Sequence, residues 1–337
     1  MNHITTWKLI NSFIDQRDNF ILTTHISPDG DALGSELALA LLLKKLGKQY
    51  SIINLSPTSS NYRFLDPEGQ IAIYSPEKHL EQLTNIDGVF ILDISDWARL
   101  RGIGKVIRQL DLPRVCIDHH RPTDTMAEIE IIDTSASCTG ELLYDFMTFL
   151  NEPCSARIAE ALYTCILTDT GSFRFSNTSP RVHQITADLL SIGVNARQIY
   201  EQVYETCSQA KMNLMGEVMR AFNYECDGKL AWFIVSRELL QKSGAEIWEL
   251  ETFPEIPKMI AGVEVGLMIT EMDRDRTKIS LRSKGRIPII EIAEKFGGGG
   301  HKFAAGAVIS GIVEQVIGNV ISEIKKVVCN YASEHSD

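Results

Sequence analysis

Residues 20–35 read Phe-Ile-Leu-Thr-Thr-His-Ile-Ser-Pro-Asp-Gly-Asp-Ala-Leu-Gly-Ser. This segment begins with an apolar run of strand length and continues as a loop rich in glycine and aspartate, and a helix-like segment follows over residues 36–46. Similar apolar runs recur at residues 51–55, 88–94 and 114–117, separated by segments with helical patterns. This alternation predicts an α/β fold whose N-terminal sheet is mostly parallel and flanked by helices.

The rest of the chain predicts a run of helices and then a second, smaller α/β domain. Residues 179–219 carry helical patterns with few strand signals. Beyond them the predicted elements are strands at residues 230–235, 263–269 and 278–281, a glycine-rich turn at 297–300 and a C-terminal helix from Ile312. Since 337 residues exceed what one core usually supports, we expect a first domain over residues 1–195, a helical connector over 196–225 and a second domain over 226–337.

The composition and the net charge restrict the class of protein. An apolar fraction of 44% with 23% charged residues is ordinary for a folded globular chain and argues against disorder. The net charge of -11 argues against long duplex nucleic acid as a partner, because sequence-independent affinity for it comes from neutralised phosphates. Small phosphorylated ligands and divalent cations stay open as ligands.

The cysteines and the N-terminus indicate the compartment. Seven cysteines, an odd number in no CxxC pair or tight framework, predict reduced thiols rather than a disulfide scaffold. The apolar stretch of residues 37–43 is too short for a bilayer span, which needs about 20 residues. The N-terminal segment lacks the basic start and the cleavage site of a signal peptide. We therefore expect a cytoplasmic protein with no membrane partner.

Acidic and imidazole side chains lie at the ends of three predicted strands. They are His25, Asp29 and Asp31 after the first strand, Asp93 at the end of the third, and Asp118, His119 and His120 at the end of the fourth. Open parallel sheets hold their ligands at the carboxyl ends of the strands, so we expect these side chains to converge. Neighbouring carboxylates repel one another unless a cation lies between them, and a mixed oxygen and nitrogen set suits manganese or a related ion better than structural zinc. Asp169, at the end of an apolar helical segment, offers a further carboxylate.

Each of these features has an ordinary structural interpretation when it is taken alone. The loop of residues 25–35 is equally typical of an aspartate-rich turn that caps a helix. Asp169 is typical of a residue at a helix end, and Asp118 of a residue in a turn after a strand. The convergence of three strand ends favours the metal site.

Four motifs, in order along the first domain, resemble those of the DHH phosphoesterase family. They are HxxPDxDxxGS at residues 25–35, DxSD at 93–96, DHH at 118–120 and TDTG at 168–171. In the second domain, residues 297–306 resemble the GGGH motif of the DHHA1 domain. The second position of the DxSD motif, most often small or polar in the family, is Ile94 here, a departure that we expect to affect packing only.

The resemblance implies a site for two metal ions. One ion would be bound by His25, Asp29 and Asp93, and the other by Asp31, Asp93, His119 and Asp169. Asp93 would therefore bridge the ions. The implied metal is Mn²⁺, with Co²⁺ or Mg²⁺ as alternatives, and two such ions about 3.5–4 Å apart can activate a water for in-line displacement at phosphorus.

The resemblance also implies a catalytic set, which is Asp93, His119, His120 and Asp118. Within this set, His120 would contact the phosphate or the leaving group rather than hold a metal firmly. Asp118 would orient the neighbouring histidines, as carboxylates behind metal ligands commonly do.

Further residues are implied to bind a substrate phosphate. In the second domain they are Arg282, Gly298, Gly299, Gly300 and His301, and in the first domain Arg99, which matches a recurring family arginine near the cleft. Consecutive glycine amides can cradle an anion, and an arginine can bind a phosphate through two nitrogens. Without the resemblance, the glycines also fit a flexible linker, and Arg282 fits a solvated strand residue.

By this resemblance the chain is a hydrolase of short oligoribonucleotides, linear dinucleotides and 3'-phosphoadenosine 5'-phosphate. The metals of the first domain would act at the scissile bond, and the second domain would bind a remote phosphate. Two alternatives stay open: a DHH enzyme of the pyrophosphatase or exopolyphosphatase type, and a nucleotide-binding protein that has lost catalysis. The expected partners are short oligoribonucleotides and small phosphorylated nucleotides, and a homodimer is compatible with the sequence.

Overall fold

The computed structural model describes residues 3–273 and 275–334, apart from the side chains of Gln82, Glu251, His301 and residues 332–334. It divides into two units, Met1–Thr206 and Cys207–Asp337. The predicted connector of residues 196–225 is shared between them, since its first helix belongs to the first unit and its second helix to the second.

The first unit is a parallel sheet covered by helices on both faces. Its described strands are β1 (Asn19–Thr23), β2 (Gln49–Asn54), β3 (Ile71–Ile73), β4 (Gly88–Leu92), β5 (Arg114–Asp118) and β6 (Ile129–Ile132). Its described helices are α1 (Ile4–Asp15), α2 (Gly30–Lys45), α3 (Pro76–Leu83), α4 (Arg101–Gln109), α5 (Thr139–Leu150), α6 (Ala156–Asp169), α7 (Pro180–Ser191) and α8 (Ala196–Tyr204). The strand order is β3-β2-β1-β4-β5-β6, and every neighbouring pair is parallel, which confirms the predicted fold class. The apolar runs do not predict β3 and β6, which are short strands at the two edges.

The two faces of the sheet bury alternate residues of β1. Phe20 and Leu22 lie in the core beneath α1, α2, α5 and α6, whereas Ile21 lies in the opposite core with residues of α3 and α4. All three side chains are fully buried. Burial on both faces explains why this strand is a continuous apolar run instead of an alternating one.

Two glycines of α2 allow this helix to pack directly on α6. A Cβ atom built on Gly30 would lie 2.5 Å from Cγ2 of Thr168, and one built on Gly34 would lie 2.5 Å from Sγ of Cys165. Real side chains do not come this close, so a larger residue at either position would push the helices apart. The N-terminus of α2 is thereby held beside the C-terminus of α6.

The second unit is a mixed sheet with its own helices. Its described strands are β7 (Asn223–Glu225), β8 (Leu230–Val235), β9 (Val265–Asp273), β10 (Arg276–Ser283), β11 (Gly299–His301) and β12 (Ala304–Ser310). Its described helices are α9 (Gln209–Arg220), α10 (Arg237–Ser243), α11 (Ile290–Lys295) and α12 (Val313–Glu334), and Ile247–Met259 forms 3₁₀ turns. The strand order is β11-β12-β10-β9-β8-β7, in which β8 and β9 are parallel and the other neighbours antiparallel. The predicted second α/β fold is confirmed.

The glycine-rich segment is partly a strand and not only the predicted turn. Gly299–His301 forms β11 and pairs with β12. A Cβ atom on Gly298 would overlap the carbonyl oxygen of Gly306, so this glycine is needed where the two segments approach each other. The sequence alone shows no such contact because it arises from a pairing within the folded hairpin.

A disulfide bond joins Cys226 to Cys329, which corrects the prediction of reduced thiols for this pair. The two residues are 103 positions apart, so no local spacing reveals them. The bond connects the turn after β7 to α12. The remaining cysteines are free, as predicted.

The C-terminal helix α12 is amphipathic. Val320, Ile324 and Val328 are buried in the core of the second unit, whereas Lys325 and Lys326 make ion pairs at the surface. Among the described residues, we find no helix that has both the length and the apolar character to cross a bilayer.

Glu36 is an ionisable residue in the core of the first unit. It is fully buried in α2, and its Oε2 accepts a hydrogen bond of 2.7 Å from Nδ2 of Asn54. Its Oε1 is buried with no hydrogen-bond partner among the described residues. Burial raises the pKa of Glu36 from its usual value of 4.5 to about 8, although the bond from Asn54 opposes this. The side chain therefore stays protonated at neutral pH in the folded protein.

We expect Glu36→Gln to stabilise the protein at pH 8 but not at pH 4.5. The unfolded chain loses the proton near pH 4.5 and the folded chain near pH 8, so the wild-type protein loses up to about 4 kcal/mol as the pH rises between these values. Glutamine keeps the hydrogen bond and has no proton to lose. Urea unfolding in EDTA at several pH values measures the difference, with the exposed Glu81→Gln as control. A difference that does not change with pH would contradict the prediction.

Candidate metal centre

His25 follows β1 and presents one ring nitrogen to the edge of the sheet. Its Nδ1 lies 2.9 Å from the carbonyl oxygen of Ile26. A carbonyl only accepts hydrogen bonds, so Nδ1 carries the proton and Nε2 has a free lone pair, 3.4 Å from Oδ2 of Asp93. Burial lowers the pKa of His25; Asp29 opposes this, and Arg99 lowers it further. A histidine that binds a metal must be neutral and must have a lone pair available on one ring nitrogen, and His25 meets both requirements.

Asp29 caps α2 with one carboxylate oxygen. Its Oδ1 accepts hydrogen bonds from the amides of Asp31 and Ala32, both at 3.1 Å. The sequence predicts that this helix begins near residue 36. The cap explains why α2 begins earlier, at Gly30. The helix-cap interpretation of the loop is therefore correct, and the cap leaves Oδ2 of Asp29 available for a cation.

Asp31 is buried against the N-terminus of α5. Its Oδ2 accepts a 2.7 Å bond from the amide of Thr139, and its Oδ1 accepts a 3.0 Å bond from the amide of Gly140. The hydroxyl of Thr139 also donates to Oδ1 of Asp93 at 3.0 Å. Thr139 and Gly140 are not predicted as site residues. Their only signal in the sequence is a Thr-Gly pair that opens a helix after Cys138. Their amides fix the orientation of Asp31.

Asp93 occupies the centre of the cluster. It follows β4 directly, has a left-handed φ of 59° and is 1% exposed. Its amide donates to the carbonyl oxygen of Ile117 at 3.0 Å, which holds this unusual backbone in place. Burial raises the pKa of Asp93 well above its usual range, and the charges of Asp31 and Asp29 raise it further.

His119 directs Nε2 toward three carboxylates. This atom lies 3.0 Å from Oδ2 of Asp169, 3.5 Å from Oδ1 of Asp93 and 3.7 Å from Oδ2 of Asp31. It is buried, yet within the described structure none of these contacts has the geometry of a hydrogen bond. Burial alone would lower the pKa of His119, but Asp169 and Asp31 raise it to about 9. A nitrogen aimed between several carboxylates is the arrangement of a shared metal ligand.

Asp118 holds the two histidines that follow it. Its Oδ1 accepts hydrogen bonds from the amides of His119 and His120, at 2.8 and 3.1 Å, and lies 2.8 Å from Nδ1 of His120. Its Oδ2 accepts from the hydroxyl of Ser95. Burial acts to raise the pKa of Asp118, but the bonds from His120 and Ser95 hold it below the usual value. Asp118 thus stays charged and orients the ring of His120.

Asp169 ends α6 at the point where this helix meets α2. Burial raises the pKa of Asp169 to about 6; His119 opposes the rise, and Asp31 adds to it. The pKa of Asp93 is also raised, so the buried Asp93 and the partly buried Asp169 both resist ionisation when no cation is nearby.

The predicted metal ligands form three overlapping groups whose ligand atoms lie within 4.8 Å of one another. The groups are His25, Asp29 and Asp93; Asp31, His119 and Asp169; and Asp93, His119 and His120, of which His120 is predicted to contact the phosphate and not to hold a metal. Oxygen and imidazole donors in this mixture, with crowded carboxylates and an unbonded buried nitrogen, fit divalent cations. The assignment of each residue to an ion stays a prediction.

Arg99 lies close to this cluster. Its carbonyl oxygen accepts a 3.1 Å hydrogen bond from the amide of Ile26, next to His25. Its charge also acts to lower the pKa of His25. A role for Arg99 in phosphate binding stays a prediction.

In the second unit, Arg282 is engaged by an acidic residue. Its Nε donates to Oε1 of Glu255 at 2.5 Å, and its Nη1 donates to the carbonyl oxygen of Leu281 at 2.9 Å. Arg282 on β10 pairs with Ala304 on β12, which in turn pairs with the backbone of His301 on β11. Arg282 and His301 therefore share one register position, but the side chain of His301 lies outside the described residues.

Two of the glycine amides have partners within the protein. The amides of Gly297 and Gly298 donate to the carbonyl oxygens of Glu294 and Ala293 at the end of α11, both at 2.9 Å. These bonds cap the helix, so an anion at this loop would need other donors. A Cβ atom on Gly299 would meet open space, which leaves that backbone accessible.

Two family models match the chain. The model of the DHH family, N-terminal domain, matches residues 19–166, and the model of the DHHA1 domain matches residues 232–331.

Two curated relatives share the name bifunctional oligoribonuclease and PAP phosphatase NrnA. The relative from Thermus thermophilus is 31% identical over 90% of this chain and 89% of its own length. The relative from Bacillus subtilis is 28% identical over 87% of this chain and 90% of its own length.

Two solved structures resemble the chain over nearly its whole length. An exopolyphosphatase-related protein from Bacteroides fragilis superposes with a TM-score of 0.89 at 26% identity and covers 99% of this chain and 98% of its own. RecJ from Thermus thermophilus in complex with Mn²⁺ has a TM-score of 0.55 at 13% identity, with 98% of this chain and 54% of RecJ covered. The second comparison is a likeness of fold alone.

We expect Asp93→Asn to stabilise the metal-free protein while removing its stabilisation by metal. Asparagine keeps the size and the acceptor for Thr139 but removes a buried carboxylate whose pKa burial raises well above its usual range, so the metal-free variant should unfold at a higher temperature than the wild-type protein at pH 7. Bound cations stabilise the folded state by mass action, and this gain should be lost. Thermal unfolding with EDTA and with Mn²⁺ measures both effects, with Asp96→Asn as control. An unchanged shift by Mn²⁺ in the Asp93 variant would refute its central role.

Proposed function

Since the chain belongs to the DHH family and carries a DHHA1 domain, we propose that it hydrolyses phosphoester bonds in short oligoribonucleotides, linear dinucleotides and 3'-phosphoadenosine 5'-phosphate. The observation that carries this proposal is the cluster around Asp93, where carboxylates and imidazoles from three strand ends and one helix end lie together. The relatives from Thermus thermophilus and Bacillus subtilis, whose name states both activities, support it over most of the chain.

The proposed cofactor is a pair of Mn²⁺ ions, for which Co²⁺ or Mg²⁺ could substitute. His25, Asp29 and Asp93 would hold one ion, and Asp31, His119 and Asp169 the other together with Asp93. When bound, the ions would supply Lewis-acid chemistry to a water and to the phosphoryl oxygens. The residues themselves bring preorganisation, because Asp31 and Asp93 are fixed by hydrogen bonds from Thr139 before any ligand arrives.

His120 is the residue that we propose to contact the phosphate or the leaving oxygen. Its Nδ1 is bound to Oδ1 of Asp118, and its side chain is 40% exposed, compared with 12% for His119. Nε2 of His120 therefore remains for the substrate. The bond to Asp118 holds the ring in one orientation, so that Nε2 would contact the phosphate or the leaving oxygen.

Arg282 is the residue that we propose to bind a second phosphate. Its partner Glu255 presents a carboxylate where a phosphate would compete for the same guanidinium. Glu255 also pairs with Lys258 at 2.5 Å, so a second cation remains near the phosphate. His301 shares the register position of Arg282 through β12, which supports its inclusion.

The second candidate function is hydrolysis of polyphosphate or pyrophosphate. It is favoured by the similar structure from Bacteroides fragilis, which is described as exopolyphosphatase-related. The DHHA1 domain and the curated relatives favour the nucleotide substrates.

We expect the purified protein with Mn²⁺ to hydrolyse dinucleotides and 3'-phosphoadenosine 5'-phosphate faster than pyrophosphate or 24-residue RNA. Ca²⁺ should restore little activity after EDTA treatment, because it prefers larger all-oxygen shells than this mixed site offers. A phosphate-release and chain-length assay ranks the substrates. A preference for pyrophosphate would support the second candidate, and best restoration by Ca²⁺ would contradict the metal site.

We expect Arg282→Lys to lower kcat/KM for dinucleotides about tenfold while leaving Mn²⁺ content unchanged. Lysine keeps the charge but cannot form the two-nitrogen contact with phosphate, a loss of about 1.5 kcal/mol. Arg276→Lys is the matched control, since Arg276 lies on the same strand and also pairs with a carboxylate, that of Asp273. Glu255→Gln should instead lower KM for dinucleotides, because it removes the carboxylate that competes with the phosphate for Arg282. Normal dinucleotide kinetics in Arg282→Lys would exclude the proposed phosphate contact.

A further inference from the structure

The loop after Asp169 is folded back against the metal centre. Nδ2 of Asn177 donates to the carbonyl oxygen of Asp169 at 3.1 Å and to that of Ser137 at 3.0 Å. The amide of Phe175 donates to the carbonyl oxygen of Thr170 at 3.0 Å. The loop is thus tied both to the end of α6 and to the segment before α5.

Three consecutive residues of this loop have a left-handed backbone. Gly171, Ser172 and Phe173 have φ values of 54°, 59° and 64°. Residues other than glycine rarely adopt this conformation, and two in succession are held only where the surroundings determine them. The hydroxyl of Thr170, which accepts from the amide of Phe173 at 3.0 Å, is part of that support. The loop therefore presents the next side chains in a fixed position.

Phe175 is the side chain that this turn displays. Its ring lies directly over Gly171, where a Cβ atom would come within 2.6 Å of Cε1. The ring is nevertheless 55% exposed. A large apolar ring held at the surface, in the loop that follows Asp169, has no role in the core.

Two tyrosines of α8 lie next to each other near the C-terminal end of α6. Tyr200 and Tyr204 are each 41% exposed, and their ring centroids are 4.9 Å apart. The hydroxyl of Tyr204 lies 3.5 Å from the carbonyl oxygen of Leu167, in the last turn of α6. Burial raises the pKa of Tyr204, and a hydrogen bond with Ser172 of the loop opposes this.

We propose that Phe175, Tyr200 and Tyr204, here called the aromatic shelf, bind the nucleobase of the nucleotide whose phosphate occupies the metal centre. This inference rests on the proposed function and deepens it. A phosphate at the cluster places the attached nucleoside within reach of adjacent rings, and bases stack on aromatic side chains whatever their identity. The shelf would therefore recognise the presence of a base and not its sequence.

The shelf explains a selectivity that the metal centre alone does not supply. Carboxylates, imidazoles and cations act on any phosphoester, whereas stacking adds affinity only for compounds that carry a base. Phosphorylated sugars without a base would bind and react more weakly.

A pair of substrates that differ only in the base tests this proposal. We expect the wild-type protein to hydrolyse 3'-phosphoadenosine 5'-phosphate with a kcat/KM about tenfold or more above that for ribose 3,5-bisphosphate. Phe175→Leu should lower kcat/KM about tenfold for the nucleotide, equal to about 1.4 kcal/mol, and leave the value for the sugar bisphosphate unchanged. Phe175→Tyr should restore the selectivity because it restores an aromatic face. Tyr224→Leu, at an equally exposed ring of the second unit, is the control.

A spectroscopic measurement tests binding without turnover. With Ca²⁺ in place of Mn²⁺, a dinucleotide that contains 2-aminopurine should lose fluorescence on binding to the wild-type protein through stacking. The loss should be clearly smaller with Phe175→Leu and with Tyr204→Leu. Equal quenching by the wild-type protein and both variants would overturn the proposal.

The outcomes separate this inference from the proposed function. If the wild-type protein hydrolyses neither compound, the proposed function fails and the inference fails with it. If it hydrolyses both with equal kcat/KM, the function stands and the shelf is refuted. An equal loss on both substrates in Phe175→Leu would show that Phe175 only supports the loop of Asp169, which also overturns the proposal. The proposal would also be overturned if Phe175→Leu kept its selectivity but had an altered sedimentation profile. The aromatic shelf would then be an interface between copies of the protein.

Discussion

Repulsion between buried carboxylates is the constraint on which this structure depends. Asp31 and Asp93 are almost completely buried at the carboxyl edge of the first sheet, and Asp29 and Asp169 lie beside them. Such a cluster is unfavourable in a protein interior unless protons or cations neutralise it. The surrounding amides, hydroxyls and imidazoles do not remove the charge but direct the oxygens toward shared points. The stability of this region and its chemistry are therefore linked through whatever cation it binds.

The packing of α2 against α6 brings this cluster together. Gly30 and Gly34 permit a separation between the helices that no side chain would allow, and Asp31 and Asp169 lie at the ends that meet. Glu36, one turn further along α2, is buried with a raised pKa in the same region. The helix that carries Asp31 and is capped by Asp29, both proposed metal ligands, is thus tightly constrained along its length, which favours precise placement of these residues over maximum stability.

The selectivity that we propose rests on groups outside the metal cluster. In the first unit, the left-handed turn after Asp169 displays Phe175 at the surface, although exposing the ring and bending the backbone both cost free energy. In the second unit, Arg282 is held by Glu255 and not left free, so a ligand must replace one anion by another. Both features make physical sense if the substrate supplies a base for the ring and a phosphate for the guanidinium.

The sequence by itself determined the parallel first sheet, the second α/β fold and the residues that gather at the strand ends. These follow from local signals, because apolar runs specify buried strands and because parallel strands all end at one edge. The tertiary structure alone decided the contacts between distant segments. Thr139 and Gly140 hold Asp31 from a helix more than a hundred residues away, and Cys226 meets Cys329. No spacing in the sequence encodes such partners, since they depend on how helices and strands pack and not on the pattern within any one of them.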